Sequence, residues 1–288
     1  MRVSPQCVPC LLRRAIYETE LVDPARVPEV ISAACRVFSR RFRRDRVSAR
    51  LATEVHREVY RILGSRDPYR EMKRRSNRVA RRLLPEAERM VGRSADPLRS
   101  SILCSIAGNM LDFGIRTDIR RPEELAWKFA GIVRGGLAID DTRRLRPYLK
   151  GGPEVLYFAD NCGEIVLDIL VFRELRKLGA RVTLVVKGEP ILTDATMEDV
   201  ETLGLRKEVD AVLDTGAFAV GVDFDRIPAR LRKGLHSCDL IISKGMANFE
   251  SFSGTMWRPI IHLMRTKCAP VSSAAGAPED VSIAKLWA

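Results

Sequence analysis

The chain has 288 residues, enough for one large domain or two modest ones, and its 46% hydrophobic and 30% charged residues are those of a globular protein. No apolar run approaches the roughly 20 residues a bilayer span needs, and the start, Met-Arg-Val-Ser-Pro-Gln-Cys, has no apolar signal region, so a soluble cytoplasmic protein is expected. The net charge of +12 would suit a phosphorylated ligand, but the basic runs Arg40-Arg41-Phe42-Arg43-Arg44 and Lys73-Arg74-Arg75 lie among acidic residues and aromatics make up only 6%, so nucleic acid is not the expected partner.

The first half reads as helices. Val30, Ala33, Ala34, Val37 and Phe38 recur at helical spacing, and so do Leu51, Val55, Val59 and Ile62 behind a candidate cap, Ser48. Pro68 can open a helix behind Asp67, with Leu84-Pro85 as its stop. A less polar stretch from Ile102 to Leu111 follows, and Pro122-Glu123-Glu124 starts a helix that fades at Gly135-Gly136. No strand-like run interrupts this half. His56 is expected on a helix surface.

Gly151-Gly152-Pro153 marks the change of pattern. Strands are predicted at Val155–Phe158, Val182–Val186, Ala211–Leu213, Leu240–Ile242 and Ile260–Leu263, with helices over 163–178 and near 196–203. Solid apolar strands alternating with amphipathic helices predict an α/β protein: a three-layer α/β/α Rossmann-like parallel sheet over residues 151–288, behind a helical domain over 1–150. The segment after Pro270 carries no clear pattern.

Ligands of such sheets bind beyond the carboxyl ends of the strands. Reading those ends in turn yields Asp160-Asn161-Cys162-Gly163-Glu164, then Lys187-Gly188-Glu189-Pro190 with Asp194, then Asp214-Thr215-Gly216, then Lys244-Gly245 through Asn248 and Glu250, and finally Lys267-Cys268. Alone, Asp160-Asn161 is equally a helix cap or an Asx-turn. Together, Asp160, Asn161 and Asp194 offer hard oxygen ligands for a divalent ion, while Lys187, Lys244 and glycine-flanked backbone N–H groups suit phosphate. His236 and His262 lack metal-ligand spacing. Seven cysteines, an odd number, argue against a disulfide framework. Cys7-x-x-Cys10 has the spacing of half a metal site, and a second pair is missing.

These pieces resemble the DUF89 family of damage-control phosphatases, or ARMT1-like metal-binding proteins, in its mostly prokaryotic Cys-x-x-Cys branch. The resemblance runs through most of the chain: Cys7-x-x-Cys10, Asp67-Pro68-Tyr69 with Lys73 and Asn77, Ala107 to Gly114, Asp160 to Glu164, Val186 to Asp194, Lys244 to Glu250, and Lys267-Cys268. It implies a divalent metal (Mg, Mn, Co or Ni) held by Asp160, Asn161 and Asp194, and hydrolysis of phosphate esters of small metabolites such as sugar phosphates. It also implies that Asn109 and Asp112 close over the site, and that Lys244, Asn248 and Glu250, with Glu164, Lys187, Gly245 and Lys267, bind substrate or phosphate. Asp160, Asn161 and Lys244 are the expected catalytic residues, Asp160 either as ligand alone or also as nucleophile or base. Thr193 stands where many relatives carry Asn. The rival readings are an S-adenosylmethionine-dependent carboxyl methyltransferase, against which stands the single glycine after the first strand, and a non-enzymatic metal- or nucleotide-binding regulator.

Overall fold

The computed structural model describes residues 1–111 and 122–288. Three helices open the chain: α1 (Cys7–Glu20), α2 (Val27–Arg41) and α3 (Ser48–Leu63). Ser48 is the first helical residue rather than the cap, and Val47 precedes it in extended conformation. The three pack through Ala15, Val30, Ala34, Leu51, Val55 and Val59. His56 does not lie on a helix surface. It is buried, with Nδ1 2.6 Å from Oε1 of the buried Glu18 on α1. The reason is that His56 falls on the face of α3 that already carries Ala52, Val55 and Val59.

Next comes α4 (Arg70–Gly92), which runs through Pro85 instead of stopping there. Its buried residues, Lys73, Asn77, Ala80, Leu83, Ala87 and Val91, form one continuous stripe on both sides of the proline. Burial of that stripe outweighs the backbone hydrogen bond that Pro85 cannot donate. Then follow α5 (Pro97–Ala107), capped by the Asp96 carboxylate on the Arg99 N–H, and α6 (Pro122–Gly135).

The sheet begins earlier than expected, with β1 (Ile139–Asp140). It continues with β2 (Glu154–Phe158), α7 (Glu164–Lys177), β3 (Arg181–Val186), α8 (Met197–Leu203), β4 (Ala211–Asp214), α9 (Ala229–Ser237), β5 (Leu240–Lys244), α10 (Gly245–Phe252), β6 (Ile260–Arg265), α11 (Ala269–Ala275) and β7 (Ser282–Trp287). The strand order is β1-β7-β6-β5-β2-β3-β4. The pairs β2–β3, β3–β4, β2–β5 and β5–β6 are parallel. The expected parallel sheet is joined toward one edge by an addition, where β7 runs antiparallel to β6 and β1 pairs parallel with β7.

Side chains alternate across the sheet, as a strand requires. Val155 and Tyr157 of β2 face the layer of α5 and α7, and Leu156 and Phe158 face α9 and Phe252 of α10. The first of these cores also draws in Ala80, Leu83, Leu98 and Leu145, so residues from both sides of Gly151 share it. The bundle of α1–α3 packs with Ile191, Leu192 and Val220, which lie in loops at the carboxyl edge of the sheet.

His262 of β6 is fully buried between the rings of Phe249, at 5.0 Å, and Trp287, at 4.7 Å. Burial, and then the charges of Arg258, Lys285 and the amino terminus, push its pKa from 6.5 down to about 3. The unfolded chain therefore takes up a proton near pH 6.5 that the fold refuses. The stability carried by neutral His262 is complete above that pH and is lost as pH falls toward 3. Denaturant titrations of His262→Phe are expected to show a pH slope in this window shallower by up to about 1.4 kcal/mol per pH unit. A slope equal to that of the wild type would count against the argument.

Candidate active site at the carboxyl edge of the sheet

The chain lays β2, β3 and β4 to one side, then places β5 on the other side of β2. The crevice between the ends of β2 and β5 is thus the topological switch point, where an open sheet leaves room for a ligand. Asp160 follows β2 there, and Lys244 closes β5.

Two backbone segments fix the acidic pair. The loop after β2 meets the loop before α8 in a short antiparallel pairing of Asn161 with Asp194. Cys162 N–H donates to Thr193 O at 2.8 Å, and Ala195 N–H donates to Asp160 O at 2.8 Å. The Thr193 hydroxyl donates to Asn161 Oδ1 at 2.7 Å. Asn161 Nδ2 donates to Asp160 Oδ2 at 2.7 Å, and Asn109 Nδ2 approaches the same oxygen at 3.3 Å.

A second layer of charge lies beneath. Glu164, in the first turn of α7, accepts from Asn109 Nδ2 at 2.6 Å and forms an ion pair with Lys244 Nζ at 2.6 Å. Asp168, one turn later on the same face, accepts from Lys244 Nζ at 2.6 Å and from Ser105 Oγ at 2.6 Å. Lys244 is completely buried. Its ammonium is held between two carboxylates on α7. Burial and the neighbouring carboxylates of Asp194 and Glu164 raise the pKa of Asp160 well above its ordinary value, and the Lys187 and Lys267 ammoniums only partly offset this. Burial likewise raises Glu164, against the pull of Lys244.

The remaining expected residues divide. Lys187 Nζ lies 3.3 Å from Asp194 Oδ2, donates to Gly221 O, and reaches Asn248 Oδ1 at 3.4 Å. Asn248 Nδ2 ties Ala159 O to Lys244 O, at 2.9 and 2.8 Å, and so joins the ends of β2 and β5. Gly245, at φ +75°, is required by a close approach: a Cβ there would stand 1.9 Å from Asp160 Oδ2. Lys267 Nζ donates to Asn109 O at 3.4 Å on the Asp160 side. Glu250 is turned away. Its carboxyl hydrogen-bonds with Ser48, and the Met1 amino group donates to its backbone carbonyl. Asp112 lies outside the described residues.

Asp168 and Ser105 were not anticipated. A signal for Asp168 exists in the sequence: it is the one charged residue inside the apolar stretch Ile165 to Phe172. Asn77 supports the same loop from α4, accepting from Gly163 N–H at 2.7 Å and donating to Asp199 Oδ1 at 2.9 Å.

Among the described residues no three His, Cys, Asp or Glu side chains converge as a metal cluster, and all seven cysteines are free thiols. The oxygen donors at the switch point are instead two carboxylates and one amide. That set fits a hard divalent cation. It is buried, its carboxylates repel one another, and a dication would relieve the repulsion that raises Asp160. Asn161 Oδ1 keeps a second lone pair beside its bond from Thr193.

Fold and site together define a Rossmann-like α/β protein with an acidic–amide centre and flanking lysines at its switch point. The model of the damage-control phosphatase ARMT1-like domain matches residues 3–283. The chain is 38% identical over 288 residues to a damage-control phosphatase of Archaeoglobus fulgidus, with 99% of each covered. It is 27% identical over 286 residues to the damage-control phosphatase PH1575 of Pyrococcus horikoshii, covering 98% of this chain and 97% of that one. The crystal structure of a DUF89 family protein from Pyrococcus horikoshii matches with a TM-score of 0.89 and 26% identity over 99% of each chain. The chain belongs to the damage-control phosphatase ARMT1-like family.

Proposed function

We propose that this protein is a metal-dependent phosphomonoesterase acting in the cytoplasm on small phosphorylated metabolites such as sugar phosphates. The observation that carries this reading is the convergence of Asp160, Asn161 and Asp194 at the switch point, flanked by Lys187 and Lys267. Asp160, Asn161 and Asp194 would hold the cation, one of Mg²⁺, Mn²⁺, Co²⁺ or Ni²⁺. Bound there, it supplies Lewis-acid stabilisation of phosphoryl charge. Lys187 and Lys267 add positive charge on either side, where phosphate oxygens would gather. Asn109 and Asn161 orient the Asp160 carboxylate through their amide groups. Lys244 and Asn248 hold the floor of the site, so the oxygens above are preorganised and need little rearrangement during reaction.

Chelation is expected to abolish turnover of a generic phosphate monoester, and re-addition of one of the four cations to restore it. Equal rates in stripped and restored protein would overturn the metal-dependent reading.

A further inference from the structure

We propose that Tyr60, on the helical bundle, is a positioning residue for the cation site, holding the strained backbone at Leu192 that presents Asp194 beside Asp160. The inference rests on the metal-dependent reading above and names a residue outside the site's own loops.

Asp194 ends a four-residue turn closed by its own N–H donating to Ile191 O at 3.1 Å. Inside that turn Leu192 has φ +49°, a left-handed conformation that glycine adopts freely and a branched apolar residue does not. Two interactions from the bundle hold it there. Its side chain is buried in the cluster that contains Tyr60, Tyr69 and Val220. Its N–H donates to the Tyr60 phenol oxygen at 2.9 Å. Tyr60 is itself fixed: it is buried, and its ring meets Phe218 edge-on with centroids 5.2 Å apart.

The next two residues carry the consequence. Thr193 bonds Asn161 through its hydroxyl and Cys162 through its carbonyl. Asp194 pairs with Asn161 along the backbone and with Lys187 through its carboxylate. Relaxation of Leu192 toward an ordinary φ would therefore move both Asp194 and the group that steers the Asn161 amide oxygen. One hydrogen bond from α3 is coupled to two of the three candidate ligands.

Tyr60→Phe removes the phenol oxygen and keeps the ring. Metal-stripped wild type and variant are titrated with Mn²⁺ by calorimetry, at a temperature where melting curves show both folded. The dissociation constant is expected to rise about tenfold in the variant, the lower end for removing a group that orients a metal ligand. An unchanged dissociation constant overturns the proposal and leaves Tyr60 a packing residue. Absence of Mn²⁺ binding by the wild type would instead remove the metal-dependent reading, and this inference with it.

Discussion

Asp160→Asn is expected to lower phosphatase turnover by on the order of 10²–10³-fold, the scale of removing one preorganised electrostatic group, while leaving the metal-free protein at least as stable as the wild type. The two halves of this expectation come from the same geometry. Asp160 lies beside Asp194 and Glu164, and burial, then repulsion from those two carboxylates, raise its pKa. A neutral amide of the same shape removes that repulsion. It also leaves one oxygen to accept from Asn161 and Asn109, which now converge on Asp160 Oδ2. Function and stability therefore separate at this residue, as they do where a site stores unfavourable electrostatics. Turnover with saturating metal and the melting temperature of stripped protein measure the two. A variant that retains wild-type turnover would remove Asp160 from the centre of the mechanism.

Lys244→Met should act in the opposite sense, as a stability mutation first. The ammonium is fully buried and pairs with Glu164 and Asp168, each at 2.6 Å. Methionine keeps the volume and strands two carboxylates in the interior. Breaking a buried pair in this way costs about 3–5 kcal/mol. Adding Glu164→Gln to the same protein should recover part of that loss, because one stranded charge is neutralised. Denaturant unfolding of the single and double variants tests the reading. A loss below about 1 kcal/mol, the ordinary size of a point-mutation effect, together with a raised KM, would show instead that Lys244 spends its charge on substrate.

Much of this site was legible as one-dimensional pattern. Strand ends in an open sheet fall on one edge, so Asp160, Lys187 and Lys244 could be grouped from the order of apolar runs alone. The i, i+4 spacing of Glu164 and Asp168 also places both on one face of α7. Glu250 shows where the pattern misled. It lies two residues beyond Asn248 on α10, about 200° round a helix of 3.6 residues per turn, so the two cannot serve the same crevice. Asn248 faces in and binds Ala159 O, while Glu250 faces Ser48.

Sequence by itself determined the class of fold, the edge on which chemistry gathers, and the acidic–amide pair opened by Asp160. Those features follow from local periodicity and from the geometric rule that parallel strands end together. Tertiary structure alone decided the rest. It turned β7 antiparallel, carried α4 through Pro85 on a buried stripe, and paired His56 with Glu18. It placed Lys244 beneath the site and Tyr60 against Leu192. The side-chain contacts among these join residues far apart along the chain, 76 positions for Lys244 and Asp168 and 132 for Tyr60 and Leu192. A contact of that separation leaves no periodic trace near either residue. At Asp160 the two levels meet: its position at a strand end was readable, whereas its raised proton affinity comes from burial and then from Asp194 and Glu164, all supplied only by folding.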